Sequence, residues 1–297
     1  MTSQKFGLSV ALSTPFDVDG RIDGGRLVAH ARATMMDGAQ SVTLFGTTGE
    51  GFSISPRERT ALLETFKSAN FRMRDEVGIG IMAPAPEEAA RQIAEGLAYD
   101  CRHFLLTPPY FFKGATDDGI VAWHAAVLDA LGGKARDVVL YNLPSQTAVA
   151  LSLDVVGRLK DRYRGIITGV KDSSSNLPYS QSLVATHGDL AILIGDERLL
   201  ADIVRRGGQG SICGLANFEA KRMRRLVDTG RDNPTISAIV DAVCSCPVLP
   251  AIKAILAHDT GYAGWARMRP PVTELTAGQA ASLNAQIAAL RATGTPV

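Results

Sequence analysis

The sequence predicts an α/β fold, a closed (β/α)8 barrel of the TIM-barrel type with a C-terminal three-helix extension. Apolar segments of strand length alternate with helical segments eight times along residues 1–232. This alternation indicates a parallel sheet with helices outside it, and eight units are the number that closes a barrel. A doubly wound open sheet is the alternative. After Asp232 the strands stop, so we expect residues 233–297 to form a helical appendage and not an independent domain.

The first half of the chain contains four of the predicted strand–helix units. Asp23 is placed to cap the first helix, and Ser55 and Glu58 form a capping box around Pro56. The predicted strands are Leu8–Leu12, Ser41–Phe45, Val77–Met82 and Arg102–Leu106. The predicted helices run from Asp23 to Met36, from Ser55 to just after Phe66, from Pro86 to Tyr99 and from Thr116 to Leu131.

The second half repeats the pattern and then changes. The remaining strands are predicted at Asp137–Tyr141, Gly165–Val170, Leu190–Ile194 and Gly210–Cys213, and the helices at Ser152–Lys160, Leu177–Thr186, Glu197–Arg206 and Glu219–Asp228. Three further helix starts follow at Asn233-Pro234, Cys246-Pro247 and Thr276, with no strand between them.

Composition narrows the classes of function. Hydrophobic residues make up 46% and charged residues 21% of the chain, and the formal net charge is +1, which gives no sign of a nucleic-acid or membrane partner. The N-terminus lacks the apolar core of a signal peptide, and no apolar run is long enough to cross a bilayer. The four cysteines make no disulfide framework, and Cys244-Ser-Cys246 is too closely spaced for a zinc site. We therefore expect a cytoplasmic protein that binds no metal.

The stretch from Gly165 to Ser173 is the most informative in the chain. It is an apolar, β-branched run that ends in a lysine, Lys171. Lysine is uncommon in buried strands, and a desolvated lysine can act as a free amine that attacks a carbonyl carbon to form a Schiff base. The alternative is that Lys171 simply reaches solvent at the strand end. The polar residues that accompany it decide between these interpretations.

The active site of a parallel barrel lies at the carboxyl ends of its strands, so the polar residues there are candidates. Residues 46–49 offer two hydroxyls and successive amides that can hold a carboxylate, and Glu50 is expected to brace this loop. Tyr141 can pass protons to and from a carbonyl oxygen. With Lys171, these residues predict an enzyme that holds a 2-keto acid and activates it as an enamine.

Six motifs occur in order along the chain. They are Gly46-Thr-Thr-Gly-Glu50, Thr107-Pro-Pro-Tyr110, Tyr141-Asn-Leu-Pro-Ser145, Gly169-Val-Lys-Asp-Ser173, Gly195-Asp196 and Gly207-Gly-Gln-Gly-Ser-Ile212. Together they resemble the dihydrodipicolinate synthase / N-acetylneuraminate lyase family, and the likeness runs from about Val10 to the end of the chain. The resemblance implies a Schiff-base lyase on a (β/α)8 barrel, with no metal or organic cofactor, assembled as a homotetramer (a dimer of dimers).

The resemblance also implies a role for each matched residue. Lys171 is the implied Schiff-base lysine, with Tyr141 as its proton-transfer partner and Thr47 as the relay. The other implied roles are carboxylate binding for Thr48, Gly46 and the neighbouring amides, lining of the keto-acid pocket for Gly195 and Ile212, and insertion into a neighbouring subunit's site for Tyr110.

Two positions depart from the synthases of this family. Gln146 stands where they carry an arginine that binds the second substrate's carboxylate, and Pro109 stands where they often carry a tyrosine. A neutral amide does not replace a bidentate guanidinium. Ser173, Ser174 and Ser175 follow the lysine and can hydrogen-bond hydroxyls. This set favours a 2-keto-3-deoxy sugar acid as the substrate, bound with the help of Gln146 and Ser173.

Three other functions remain open on the sequence. The first is a true 4-hydroxy-tetrahydrodipicolinate synthase, which condenses pyruvate with aspartate semialdehyde. The second is a phosphate-sugar isomerase with residues 207–214 as its phosphate cradle, and the third is a non-catalytic keto-acid sensor. None of the histidines, such as His103, is assigned a role, and Arg222, Arg224 and Arg225 are expected on a solvated helix face.

Overall fold

Eight parallel strands close into a barrel in which each strand pairs with the next and the eighth pairs with the first. The computed structural model describes residues 5–294. Closure confirms the predicted barrel and excludes the open sheet. The strands are β1 Gly7–Ala11, β2 Ser41–Leu44, β3 Val77–Ile81, β4 His103–Leu106, β5 Val138–Asn142, β6 Ile167–Asp172, β7 Ala191–Ile194 and β8 Gly210–Cys213.

Helices follow the strands in the predicted order, and three more follow the barrel. The helices are α1 Gly24–Met36, α2 Pro56–Ser68, α3 Met73–Glu76, α4 Pro86–Ala98, α5 Asp117–Asp129, α6 Pro144–Thr147, α7 Leu153–Arg162, α8 Leu177–His187, α9 Glu197–Arg205, α10 Ala216–Thr229, α11 Pro234–Cys244, α12 Val248–Thr260 and α13 Ala277–Thr293. The short helices α3 and α6 and the 3₁₀ turns Gly51–Ser53 and Ala263–Ala266 were not predicted.

The predicted helix caps explain why these segments begin where they do. The Asp23 side chain accepts a hydrogen bond from the Arg26 amide, and Ser55 and Glu58 form the capping box at the start of α2. A second capping box joins Thr276 to Gln279 at the start of α13. In each case a side-chain oxygen satisfies an amide that has no partner within the helix.

The core has two layers, one on each side of the sheet. Inside the barrel, a small cluster includes Leu105, Val139, Leu193 and Ile212 together with Tyr141. Outside it, the strands pack on the helices through a much larger apolar cluster. Because the strands are buried on both faces, they read in the sequence as continuous apolar runs and do not alternate.

Strand β6 lies two residues further along than predicted. It spans Ile167–Asp172, so Lys171 belongs to the strand and does not follow it. The strand continues because the backbone groups at its polar end are hydrogen-bonded to the neighbouring strands. The Ser173 amide donates to the Asn142 carbonyl at 2.8 Å, and the Gly195 amide donates to the Asp172 carbonyl at 2.8 Å. The lysine side chain therefore has the fixed direction of a strand residue.

The C-terminal helices cover the barrel and bury charged groups. Lys253 of α12 is fully buried, and its Nζ lies 2.6 Å from Oε1 of Glu50 in the loop after β2. Trp265, in the turn after α12, is also buried. The division at residue 232 stays a prediction. Across residues 5–294, no single helix has the length and apolar character of a membrane span, and the pair α11 and α12, bent by 113°, meets that criterion on length and composition alone.

The predicted solvated face of α10 is wrong for one arginine. The helix begins at Ala216, with non-helical backbone at Glu219, and Arg222 is buried against the Glu219 carboxylate at 2.6 Å. Arg291 of α13 binds the same carboxylate at 2.7 Å. Because the extension packs over this face, a charge pattern that looked solvated is buried. Arg225 is exposed, as expected.

The Lys253→Met variant is expected to lower the free energy of unfolding by about 3–5 kcal/mol, because it leaves the Glu50 carboxylate buried without its partner. The double variant Lys253→Met/Glu50→Gln removes both charges and is expected to recover most of this loss. Urea unfolding followed by far-ultraviolet circular dichroism measures both.

Lys160→Met is the matched control. It breaks the 3.0 Å pair between Lys160 and Asp189, whose side chains are 21% and 64% exposed, and its effect should stay below about 1 kcal/mol. A double variant as unstable as Lys253→Met alone would contradict the buried-charge explanation.

Candidate active site

A cavity of about 230 Å³ opens at the carboxyl ends of the strands, where barrel enzymes carry out their chemistry. Its walls come from the ends of β5, β6 and β8, from the loops after β2 and β7, and from helices α11 and α12. Larger surface depressions lie beside α1 and α2 and at the opposite end of the barrel. Lys171, Tyr141 and Thr47, three of the residues predicted for catalysis, line the cavity at the strand ends, which we call the rim cavity.

Lys171 and Tyr141 lie side by side at the floor of this cavity. They are direct partners in the β5–β6 ladder, and the Lys171 Nζ lies 4.2 Å from the centroid of the Tyr141 ring. The two residues are 5% and 3% exposed. Burial acts to raise the pKa of Tyr141, but the Lys171 charge and hydrogen bonds from its neighbours outweigh burial and hold that pKa below its usual value. A phenol tuned in this way is suited to proton transfer.

Two hydroxyls complete the surroundings of the Tyr141 oxygen. The Thr47 Oγ1 lies 3.5 Å from the Tyr141 hydroxyl, and the Ser173 hydroxyl also hydrogen-bonds to it. Thr47 comes from the loop after β2 and Ser173 from the end of β6. The Tyr141 phenol therefore lies beside an amine and next to two groups that can pass a proton on.

Gly195 leaves the space that Lys171 occupies. A Cβ at this position would lie 2.0 Å from the Ser173 Oγ and 3.2 Å from the Lys171 Cε. Any larger residue would displace both side chains. The Gly195-Asp196 motif therefore serves packing around the lysine.

The loop after β2 uses several of its own amides. The Gly49 and Gly51 amides donate to the Gly46 carbonyl at 3.1 and 3.0 Å, and the Glu50 amide donates to the Thr47 carbonyl at 3.0 Å. Thr47 and Thr48, the residues of this loop predicted to act in proton relay and carboxylate binding, line the cavity. Gly46 lies at the base of the loop, with no atom within 4 Å of where its Cβ would be.

Glu50 braces this loop, as the sequence suggested. Its backbone is left-handed, at φ 54°, and its carboxylate binds the Lys253 ammonium and, at 3.2 Å, the Arg269 amide. Lys253 also lies 4.3 Å from the centroid of the Phe16 ring. The loop that carries Thr47 and Thr48 is thus fixed to the C-terminal helices.

Three charged residues of the cavity were missed by the sequence analysis as site residues. Asp196, Glu197 and Arg198 follow β7 directly, so the strand-end rule applied to this strand would have found them. Glu197 is 8% exposed and accepts a hydrogen bond from the Leu215 amide at 3.2 Å, and burial raises its pKa to about 6. The apolar residues that α11 and α12 contribute gave no signal in the sequence.

The other predicted residues divide into two groups. Gln146 and Ile212 line the cavity. Tyr110 does not; it is half-buried and packs edge to face on Phe52, with the ring centroids 5.3 Å apart. Its predicted insertion into a neighbouring subunit stays a prediction.

The glycine-rich loop before β8 does not form a phosphate cradle at the active site. Its amides donate within the fold: Gly207 to Val204, Gly208 to Ile203 and Gln209 to Ile192. The loop precedes β8, so it lies at the amino end of the strands, opposite the cavity. Residues 207–209 therefore lie outside the cavity, whereas Cys213 and Gly214, at the other end of the predicted cradle, line it. This placement disfavours the phosphate-sugar isomerase interpretation.

Comparison with known proteins identifies the family. The model of the dihydrodipicolinate synthetase family matches residues 4–290. The chain belongs to this family. A curated relative, an uncharacterized DapA-like lyase of Chloroflexus aurantiacus, is 31% identical over 298 residues, which cover 98% of each chain. The name of this relative is that of a lyase, which disfavours the hypothesis of a non-catalytic keto-acid sensor.

Solved structures agree with this assignment. The crystal structure of dihydrodipicolinate synthase from Agrobacterium tumefaciens is 46% identical and superposes with a TM-score of 0.94, covering 96% of this chain and 99% of that one. A variant of the 2-keto-3-deoxygluconate aldolase of Sulfolobus solfataricus is 20% identical, with a TM-score of 0.82 over 96% of each chain, and shows the fold alone.

The Glu197→Gln variant is expected to be more stable than the native chain near pH 8 and equally stable near pH 4.5. The raised pKa means that the stabilising contribution of this carboxyl is complete below about 4.5 and is lost as the pH rises through about 6. The shift corresponds to about 2 kcal/mol. Urea unfolding at the two pH values measures it, and an equal difference at both would contradict the assignment.

Proposed function

We propose that this lyase forms a Schiff base through Lys171 and acts on a 2-keto-3-deoxy sugar acid. The observation that carries the proposal is the position of the Lys171 amine beside the Tyr141 phenol at the floor of the rim cavity. A lysine in that environment, with a proton-transfer group at hand, is the arrangement that imine chemistry requires.

The first step is binding of the substrate carboxylate. Thr47 and Thr48 present hydroxyls to the cavity beside the amides of their loop. The buried pair between Glu50 and Lys253 holds this loop in place. An anchored carboxylate brings the adjacent C2 carbonyl within reach of Lys171.

The second step forms the imine. The neutral Lys171 Nζ attacks C2, and the carbonyl oxygen takes up a proton as the tetrahedral carbinolamine forms. A second proton on that oxygen allows it to leave as water, and the C=N bond of the imine remains. Tyr141 is placed to carry these protons, with Thr47 and Ser173 hydrogen-bonded to its oxygen.

In the third step the protonated imine accepts the electron pair of a breaking bond. Loss of the proton from the C4 hydroxyl and cleavage of the C3–C4 bond release an aldehyde and leave an enamine on Lys171. Protonation at C3 and addition of water then release pyruvate and the free amine. If the C4 hydroxyl leaves instead, after loss of a C3 proton, the same imine supports dehydration.

The residues around the cavity support a substrate that carries hydroxyls. Gln146 offers a neutral amide where a synthase would offer a guanidinium. Ser145, Ser173 and Ser175 add hydroxyls to the same wall. Such groups hydrogen-bond well to a polyol and offer no charge to an anionic second substrate.

A true synthase is the second candidate, because several relatives carry that name. One is the 4-hydroxy-tetrahydrodipicolinate synthase of Anaeromyxobacter sp. strain K, which is 31% identical over 235 residues, or 78% of this chain. Under this alternative, aspartate semialdehyde adds to the enamine in place of the departing aldehyde.

Assembly as a homotetramer is part of the proposal. Phe52, Phe111 and Phe112 are 67%, 76% and 79% exposed, and Phe52 packs on Tyr110. An exposed aromatic surface of this kind is typical of an interface. A second copy of the chain would cover it and bring Tyr110 toward a neighbouring site.

Borohydride added with pyruvate is expected to inactivate the enzyme and to leave a reduced pyruvyl adduct on Lys171. Reduction fixes the transient imine as a stable amine. Peptide mass spectrometry locates the adduct. If neither pyruvate nor a longer keto acid gave an adduct on any lysine, the result would contradict the proposal.

Variants sharpen this test. Lys171→Ala should form no adduct and lose turnover by orders of magnitude, whereas Lys160→Ala, which removes a surface lysine on α7, should behave as the native enzyme does. Tyr141→Phe should keep the fold but turn over far more slowly.

The synthase alternative is tested with pyruvate and aspartate semialdehyde. We expect condensation by the native enzyme to be slow and unsaturated, and Gln146→Arg to raise its kcat/KM about tenfold or more by supplying a bidentate partner for the carboxylate. Saturable condensation by the native enzyme at ordinary enzyme rates would favour the synthase.

A further inference from the structure

The part of the cavity lined by Gln146, Asp196, Glu197 and Arg198 is called its distal half. We infer that this half is built to exclude a second carboxylate, because Asp196 and Asp241 together neutralise the guanidinium of Arg198. This inference rests on the proposed function and narrows its substrate to a monoacid, a 2-keto-3-deoxy hexonate in preference to the corresponding hexarate. Asp241 is then a residue that determines specificity without touching the substrate.

Two carboxylates engage three of the five N–H donors of the Arg198 guanidinium. Its Nε and Nη2 donate to the two carboxylate oxygens of Asp196 at 2.9 and 2.7 Å, which fills the bidentate edge. Its Nη1 donates to Asp241 Oδ1 at 2.8 Å. Arg198 lines the cavity, but its Nε/Nη2 edge is occupied by Asp196 and its charge is shared between two carboxylates, which weakens its attraction for a substrate carboxylate.

The charges around the distal half sum to a negative value. Asp196, Glu197 and Asp241 carry three carboxylates against the one guanidinium of Arg198. Lys171 at the floor carries one positive charge as the protonated imine, so three negative charges stand against two positive ones and the sum stays negative. Gln146 adds no charge. A second substrate carboxylate would therefore enter a region of like charge, which is unfavourable.

A thiol in the same wall is subject to the same four charges. Cys244, on the last turn of α11, lines the cavity. Burial is the main cause that raises its pKa; Arg198 acts to lower that pKa, while the Glu197, Asp196 and Asp241 carboxylates act to raise it further. All four charged groups are therefore close enough to act on one atom at the cavity wall.

The same groups suit an uncharged tail. The Ser173 and Ser175 hydroxyls and the Gln146 amide can donate or accept, and the Asp196 carboxylate accepts from hydroxyls. Leu249 and Ile252 of α12 line the same cavity and add an apolar surface. A carbon chain that carries hydroxyls matches both kinds of group.

The test compares two compounds of equal length and equal configuration at C4 and C5. One is the 2-keto-3-deoxy hexonate, with CH₂OH at C6, and the other is the 2-keto-3-deoxy hexarate, with a carboxylate there. The readouts are kcat/KM and the concentration that half-saturates borohydride trapping at Lys171. We expect the native enzyme to favour the hexonate about tenfold or more in both.

Asp241→Asn removes one of the two carboxylates that pair with Arg198, and Asp241 itself does not line the cavity. The variant should use the hexarate better, so that its preference for the hexonate is about threefold smaller than that of the native enzyme. The matched control is Asp232→Asn. It breaks the 2.9 Å pair between Asp232 and Arg205, whose side chains are 71% and 45% exposed, close to the 64% and 36% of Asp241 and Arg198. The control should leave the preference unchanged.

Three outcomes would overturn the inference while a pyruvate adduct at Lys171 still supports the proposed function. They are equal or better use of the hexarate by the native enzyme, an unchanged preference in Asp241→Asn, and the same change in Asp232→Asn. Rejection of both compounds would overturn the inference and also the sugar-acid part of the proposed function. Absence of any adduct, with pyruvate or with either compound, would instead contradict the proposed function itself.

Discussion

The parallel ladder between β5 and β6 is the constraint on which the rest of the site depends. It makes Tyr141 and Lys171 direct partners, so that the phenol and the amine are adjacent whatever the surrounding loops do. Parallel strands that close into a barrel bring all their carboxyl ends to one rim. The contribution of Thr47 and the room left at Gly195 follow from that shared rim. The geometry of the proposed catalytic pair is largely a property of the sheet.

The second requirement is a fixed loop after β2, and the C-terminal extension supplies it. A buried ion pair is weak evidence for stability, because desolvation offsets much of the attraction. The ion pair instead fixes the position of the loop: Glu50 binds Lys253 of α12, and this contact holds Thr47 and Thr48 at the cavity. The extension thus acts as part of the active site, and its helices also provide the apolar wall.

Local sequence signals gave most of the fold. Alternating strand and helix segments predicted the closed barrel, and the capping residues Ser55 and Thr276 placed helix starts correctly. The errors came from tertiary contacts that no local pattern encodes. Lys171 lies inside β6 because neighbouring strands satisfy its ladder, and Arg222 is buried because α13 covers it. The apolar residues that α11 and α12 add to the cavity were missed for the same reason, whereas the charged residues 196–198 follow β7 directly and could have been found by the strand-end rule.

A crystal structure of the enzyme soaked with pyruvate tests the central claim most directly. We expect continuous electron density from the Lys171 Nζ to C2 of pyruvate, with the carboxylate hydrogen-bonded to Thr47 and Thr48 and the Tyr141 hydroxyl next to the new bond. Pyruvate bound without a covalent bond to Lys171, or with its carboxylate away from this loop, would contradict the account.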